Sequence, residues 1–342
     1  MRTLGALLVA AVVLHAVPSS AQVTAAVVHI DVETRIFRFG AVPPIAHPIR
    51  DGLAGLPAAA AALPKGTPVW VYVQPSVVPD LGPSPTARLG QLVRDLTVAG
   101  VQVRSAQVLS PRDEAAFTWY AINVERGTLD APTGILWLDD GRLLFAYVPE
   151  VGAHAARPFL AGDREFELYA AGYDGLTELD TRREPACYPV GVLVRQDADL
   201  WFEATGSTHA CQRAVFTTLA RTCKSPPCSL MGTPQPHVTG KFVAMGDFAL
   251  LAGSAVSAGP LTPDRYLEEA RRDCDTPWAD RILDPQGFWA TPSACHERVM
   301  LATVLAHGLG FRGNSRRITM IADRSGLVPP WARGVVAARD NP

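Results

Sequence analysis

Neither sign of charge dominates this sequence: 31 Lys and Arg stand against 33 Asp and Glu, a formal net charge of −2. Nucleic-acid binders present a basic face, so no nucleic-acid partner is expected. Past the opening residues no segment approaches the ~20 consecutive apolar residues of a bilayer-spanning helix. The mature chain is therefore expected to carry no transmembrane segment. No internal repeat is visible. No serine sits in a G-x-S-x-G elbow, and EATGSTHAC (203–211) does not supply one, which argues against an unrelated secreted hydrolase of that kind. Cysteine is missing from the first half altogether: all 6 lie in the second half, at 187, 211, 223, 228, 274 and 295.

The start, MRTLGALLVAAVVLHAVPSSAQ, has a definite character. Arg2 gives a positive beginning, residues 4–14 form a short apolar run, and Ser19-Ser20-Ala21 is a small-residue cleavage signal. Residues 1–21 read as a signal peptide, and the protein as one of the secretory pathway, extracellular or periplasmic. Export brings oxidising surroundings in which cysteines pair, although position alone leaves the pairing open. A zinc site wants a second Cys/His pair at ligand spacing, whereas His209, His237 and His296 each stand alone. Structural disulfides are expected instead. At 342 residues and 48% hydrophobic content the chain can fill one large or two ordinary domains.

The coarse pattern is α/β. AAVVHIDVETRIFRF (25–39) reads as a strand pair broken near Asp31 and Glu33. AGLPAAAAALP (54–64) reads as an alanine-rich helix stopped by proline, and TPVWVYVQ (67–74) as a buried strand. PTARLGQLVRDLTVAG (85–100) is apolar at Leu89, Leu92, Val93, Leu96 and Val98 and ends in glycine, the mark of an amphipathic helix. VQVRSAQVLS (101–110) is the next strand. PRDEAAFTWYAINVERG (111–127) opens with proline and two acids and closes with Arg-Gly, helix start and stop signals. TGILWLDDGRLLFAYVP (133–149) holds two strands joined at a hairpin signal, DDGR. ACQRAVFTTLARTC, PDRYLEEARRDC and SACHERVMLATVLAHGLGF read as helices. Strands alternating with helices imply α/β units.

Several stretches resemble the apyrases, the nucleoside triphosphate diphosphohydrolases. TCKSPPCSLMGTPQPHVTGKFVAMGDFALL (222–251) is similar to their C-x4-C-x-x-x-G-x-x-x-P run followed by Gly-x-Phe and an aromatic box. EPACYPVGV (184–192) resembles their PC-PxG element, GSTHACQRAV their cysteine-bearing helix start, and DCDTPW (273–278) their last cysteine pair. VLSPRDEAAFTWYAINVERGTLDAPTGILWL (108–138) fits the frame of their G-x-E-G-x-x-W-x-x-N-Y-L segment.

The resemblance implies a fold of two ribonuclease-H-like α/β domains, as in actin and hexokinase, with an interdomain cleft that binds nucleotide. Domain I would comprise residues 22–130 plus 314–342, and domain II, bearing the disulfides, 131–313. The family pairs its cysteines in order, which implies Cys187–Cys211, Cys223–Cys228 and Cys274–Cys295. It hydrolyses nucleoside tri- and diphosphates with calcium or magnesium, so a nucleotide and a divalent ion are the implied partners. Glu114 falls where the family's EGAYGW carries the glutamate that activates water. By position alone it reads as an acid stabilising a helix start beside Asp113.

The phosphate-binding parts depart from the pattern. The family's first turn, DAGSSGTR, uses glycines and hydroxyls so that backbone N–H groups can approach phosphate. Here the corresponding stretch is IDVETRIFRFG, in which Asp31, Thr34 and Arg35 persist and Glu33 adds a negative charge. The second turn, DLGGASTQ in the family, is WLDDGRLLF here. Only Gly141 remains, and Asp139 and Asp140 occupy the tip. The threonine and arginine of the third box are absent from VQPSVV (73–78). Phe248 remains from the base-binding box, with Ala249 in place of its tyrosine, and Trp331 remains from the last box. Two readings follow. One is an exported apyrase-like pseudoenzyme of reduced or lost activity that binds another ligand or protein. The other is an active divalent-metal-dependent phosphatase with Glu114 as base and a metal held through water by Asp31, Asp139 and Asp140.

Overall fold

The computed structural model describes residues 25–31, 33–40, 45–49, 52–139, 141–173, 176, 184–195, 201–220, 232, 234–252, 260–282, 291–321 and 328–339. The signal segment 1–21, Asp140, Cys223 and Cys228 lie outside these.

The first half runs β1 (Ala25–Ile30), β2 (Arg35–Phe39), β3 (Ile45–Pro48), α1 (Gly52–Ala61), β4 (Pro68–Val73), α2 (Pro85–Val98), β5 (Gln102–Val108) and α3 (Pro111–Arg126). Its sheet has the order β3-β2-β1-β4-β5. The first three strands are antiparallel neighbours, and β4 and β5 add on in parallel beyond β1.

The second half contains β6 (Gly134–Asp139), β7 (Arg142–Tyr147), β8 (Arg157–Ala161), β9 (Arg164–Tyr173), β10 (Leu193–Arg195), β11 (Trp201–Glu203), α4 (Thr208–Ala220), β12 (Phe242–Gly246) and α5 (Phe248–Ala252). It goes on through α6 (Pro263–Cys274), α7 (Trp278–Ile282), α8 (Ala294–Thr303), β13 (Ile318–Met320) and α9 (Pro330–Arg339). The second sheet has the order β13-β12-β6-β7-β9-β8. Again the opening hairpin β6–β7 extends antiparallel to β9, while β12 and β13 join in parallel on the other side of β6. The same strand logic is thus used twice, each half opening with a hairpin, as expected for two ribonuclease-H-like domains. The ribbon β10–β11 stands apart from both sheets.

Alternation along the strands builds three cores, because successive side chains point to opposite faces. From β1, Ala26, Val28 and Ile30 pack with Val69, Val71, Leu92 and Leu96 under α1 and α2. Ala25 and Val27, on the other face, join Trp70, Tyr72, Phe117, Trp119, Trp331 and Val335, together with Ile135, Leu144 and Val243 of the second sheet. The far side of the second sheet buries Leu136, Phe145 and Phe242 beneath α4, α6 and α8. Helices and sheets therefore alternate in five layers, with α3 and α9 in the middle.

The tail divides between the halves. Ile318–Met320 closes the second sheet beside β12, and Pro330–Arg339 packs on α3 and β1. A Cβ at Gly334 would collide with the Phe117 carbonyl, so glycine lets the two central helices touch.

Candidate functional site

Helix α3 starts at Ser110, whose hydroxyl accepts from the Asp113 N–H at 3.0 Å and donates to the Asp113 carboxylate at 2.6 Å. Pro111 fills the first helical position, where no N–H is needed. This cap is complete without Glu114. The next residue along is therefore not spent on holding the helix end, and it points inward, 3% exposed. Its Oε2 lies 2.5 Å from Nη2 of Arg142, whose side chain is 23% exposed. Arg142 is the first residue of β7, directly across the hairpin from Asp139. The pair therefore ties the start of the central helix to the second turn.

His29 stands near the end of β1, across from Arg35. This residue shares a strand face with Val27, is 8% exposed, and lies between Phe37 and Trp331 at ring distances of 6.2 and 5.0 Å. Burial pushes its pKa down to about 4. Asp31 opposes the shift, and Arg35 and Arg142 reinforce it. One imidazole thus feels Asp31 and Arg35 of the first turn and Arg142 of the second, so the start of β7 lies on the side of the first turn. On the first turn Arg35 pairs with Glu33 at 2.7 Å, both exposed. Thr34 is buried, with its carbonyl accepting from the Ile49 N–H at 2.8 Å. On the second, Asp139 is exposed and Gly141 has φ 75°, a left-handed turn that glycine takes without strain. The Gly141 carbonyl accepts from the Leu176 N–H at 3.0 Å, and the N–H of Asp247, just past β12, reaches the Leu138 carbonyl at 2.8 Å.

Arg142 thus links Glu114 to the second turn, where it stands across from Asp139, while Asp31 and Arg35 border the first; Asp140 lies outside the described residues. Two other sequence-predicted residues are buried in the cores. Phe248 is fully buried in the outer core, its carbonyl accepting from the Tyr266 hydroxyl at 3.0 Å. No face of its ring is open to stack on a base. Trp331 packs against His29 but is 2% exposed, wedged against Tyr72 at 5.6 Å and Phe37 at 6.2 Å. It packs the central layer. Among the described residues, which do not include Asp140, no three His, Cys, Asp or Glu gather at ligand distance. Asp31 and Asp139 belong to different turns, with Arg35 and Arg142 near them.

His29 escaped the sequence reading, although a lone polar residue at an inward position of AAVVHI marks it. Arg142 was legible only as a counter-charge. The Cys187–Cys211 and Cys274–Cys295 disulfides are formed, each cysteine fully buried. Cys223–Cys228 falls outside the described residues. No described helix is long and apolar enough to cross a membrane.

No family model matches the chain, and no curated protein matches its sequence. Among solved structures, the nucleoside triphosphate hydrolases from Neospora caninum share its fold at a TM-score of 0.58 and 10% identity, over 93% of this chain and 92% of theirs. The Aquifex aeolicus Ppx/GppA phosphatase, type II variant, aligns at a TM-score of 0.47 and 12% identity over 92% of this chain and 98% of that one. An exopolyphosphatase from Cytophaga hutchinsonii aligns at 0.40 and 10%, over 91% and 96%. The likeness to the first establishes an α/β fold of two mixed sheets like that of a nucleoside triphosphate hydrolase.

Proposed function

We propose that this chain is an exported, divergent relative of the apyrases whose hydrolytic activity is reduced or lost, and which uses the scaffold to bind a ligand or protein. The observation that carries the reading is the Glu114–Arg142 pair. Phosphoanhydride hydrolysis needs a carboxylate that holds and deprotonates water, with donors on the developing charge. The guanidinium of Arg142 lies 2.5 Å from Oε2 of Glu114, so one of the two carboxylate oxygens is already engaged. That carboxylate is 4% exposed, which leaves little room for a water beside the guanidinium.

The turns support the same conclusion. Asp31 and Glu33 on one, and Asp139 on the other, bring negative charge where a phosphate chain would lie. Like charges a few Å apart repel by about 1–4 kcal/mol per pair, depending on solvent. The first turn lacks the glycines that let backbone N–H groups close on phosphate. Loss of one such donor costs on the order of 100-fold in rate. The described carboxylates do not build a metal cage, so no step is assigned to a bound ion.

The alternative is a working phosphohydrolase with Glu114 as base. In its favour, Glu114 is buried beside Arg142 of the second hairpin and is not needed by the cap at Ser110. Phosphate release from nucleoside tri- and diphosphates with magnesium or calcium separates the two readings. The wild type and Glu114→Gln should give the same background rate. Turnover in the wild type that disappears in Glu114→Gln would overturn the proposal. The two disulfides fit an oxidising compartment.

A further inference from the structure

The near-neutral total conceals a segregation of charge. Two long stretches hold no acid at all: 204–246, between Glu203 and Asp247, and 298–322, between Glu297 and Asp323. They carry 8 of the 31 Lys and Arg, which leaves 23 against all 33 Asp and Glu in the rest of the chain. The two stretches fold against each other. The Phe242 N–H donates to the Arg317 carbonyl at 2.8 Å, and Arg317 donates from Nη1 to the Val238 carbonyl at 2.9 Å. The Phe216 ring of α4 stands edge-on to His307 at 4.9 Å.

Element directions bring these contacts to one end of the second half. Strands β6, β12 and β13 run parallel. Lys241 and Arg317 stand just before β12 and β13, so they lie at the end of the sheet opposite the β6–β7 turn. Helix α8 leads out to His307 and Arg312 there, and α6 starts there, its Asp264 N–H donating to the Gly313 carbonyl at 3.0 Å. Arg312, Arg316 and Lys241 are exposed and make no ion pair among the described residues. Arg317 lies over the Phe311 ring at 5.0 Å, its pKa lowered first by burial and then by Arg312. The Asp264 carboxylate lies against Gly313 and offsets part of this charge. Arg298, by contrast, is buried against Asp273 and takes no part.

Phe216 is 43% exposed, and Arg213, one turn before it on α4, is exposed too. A small anion would call for buried donors converging on one point. These cations are instead spread over the start of α6, residues 237–241 and residues 312–317, with an exposed aromatic ring at their border. Anionic headgroups attract such cations, and a phenylalanine enters the layer beneath the headgroups.

We propose that this end of the second half is a docking surface for an anionic lipid membrane, independent of the reading given to Glu114.

Co-sedimentation of the mature chain with phosphatidylcholine vesicles containing about 30% phosphatidylglycerol tests it. Binding is expected at about 50 mM salt and should be lost near 1 M, where screening cuts the reach of surface charge to about 3 Å. Vesicles of phosphatidylcholine alone should not bind. Arg312→Glu combined with Arg316→Glu should weaken binding by about tenfold or more. Phe216→Ser, at unchanged charge, should weaken it by about threefold or more. Arg88→Glu combined with Arg94→Glu, at exposed positions of α2, changes net charge equally and should leave binding within about twofold of wild type. Every substituted side chain is exposed, and circular dichroism with thermal melting verifies each variant's fold. Absence of binding to the anionic vesicles at low salt would overturn the proposal. So would binding indifferent to Phe216→Ser or to the Arg312 and Arg316 reversals, or an equal loss in the α2 variant. Retention on heparin without binding to vesicles would assign the surface to a soluble polyanion and overturn it as well.

Discussion

Replacing Arg142 with alanine should destabilise the protein by roughly 3 kcal/mol. Glu114 is 3% exposed, and removal of the cation leaves its carboxyl group in the central layer without that guanidinium. Breaking a buried pair from one side costs about 3–5 kcal/mol. The lower end applies here because the Arg142 side chain is 23% exposed, so water reaches part of the space it vacates. Glu114→Gln alone should cost less, about 1–2 kcal/mol, since an amide oxygen still accepts from the guanidinium. The double variant should be less damaged than the sum of the singles, with a coupling of about 1–3 kcal/mol. Urea unfolding followed by tryptophan fluorescence suits the measurement, because Trp119 and Trp331 are buried in the same layer. A loss of 3 kcal/mol moves the midpoint by about 1 M or more. An Arg142→Ala midpoint within about 0.3 M of wild type, or singles that simply add, would show that Arg142 does not hold Glu114. The case for a tied base would fail with it.

The cleft histidine carries a pH signature. His29 has a folded-state pKa of about 4 against an ordinary 6.5. The unfolded chain therefore takes up the proton first, and stability falls as pH drops from 6.5 to 4. The loss attributable to His29 reaches about 3 kcal/mol at the acid end, and His29→Phe should remove that share of the slope in acid unfolding curves. Gly334→Ala should force α9 off α3 and cost about 3 kcal/mol or more, read as a fall in melting temperature; an unchanged melt would mean the helices do not touch there. Removing Cys187–Cys211 or Cys274–Cys295, with sequence separations of 24 and 21, should each cost about 3 kcal/mol in the loop-entropy model. Alkylation of any of these four cysteines in the native protein would contradict the pairing.

The strands with strong local signals were legible: the hairpin 25–39, the apolar 67–74 and the DDGR hairpin all stand where the residues indicate. Helix 111–127 was equally clear, because its cap, proline and acids lie within one turn. The repetition of one strand order in both halves was expected only through the family resemblance and left no mark in local residues. It resides in hydrogen-bonded neighbours far apart in sequence, such as β6 and β12, and places no demand on particular residues. Strands β8 and β9 gave no usable signal, since REFELYAAGY is buried on both faces over its second part and lacks clean alternation. At the site, Glu114 could be located but its partner could not. Arg142 reaches it from another layer, and nothing local distinguishes that arginine from a solvated one at a hairpin. Phe248 and Trp331 were placed on a ligand because aromatic residues serve packing and stacking alike, and burial decides between them only in three dimensions.

The position of α9 sets a timetable. Its partner α3 ends at Arg126, and α9 begins only at Pro330. At ribosomal rates of about 5–20 residues per second, roughly 10–40 s of synthesis separate them. Throughout that interval the inner face of the first sheet, with Phe37, Trp70 and Tyr72, waits for the helix that completes its cover. A nascent chain of this protein is thus a sticky one by construction. It must be kept unfolded, shielded by chaperones or threaded across a membrane until residues 330–339 arrive.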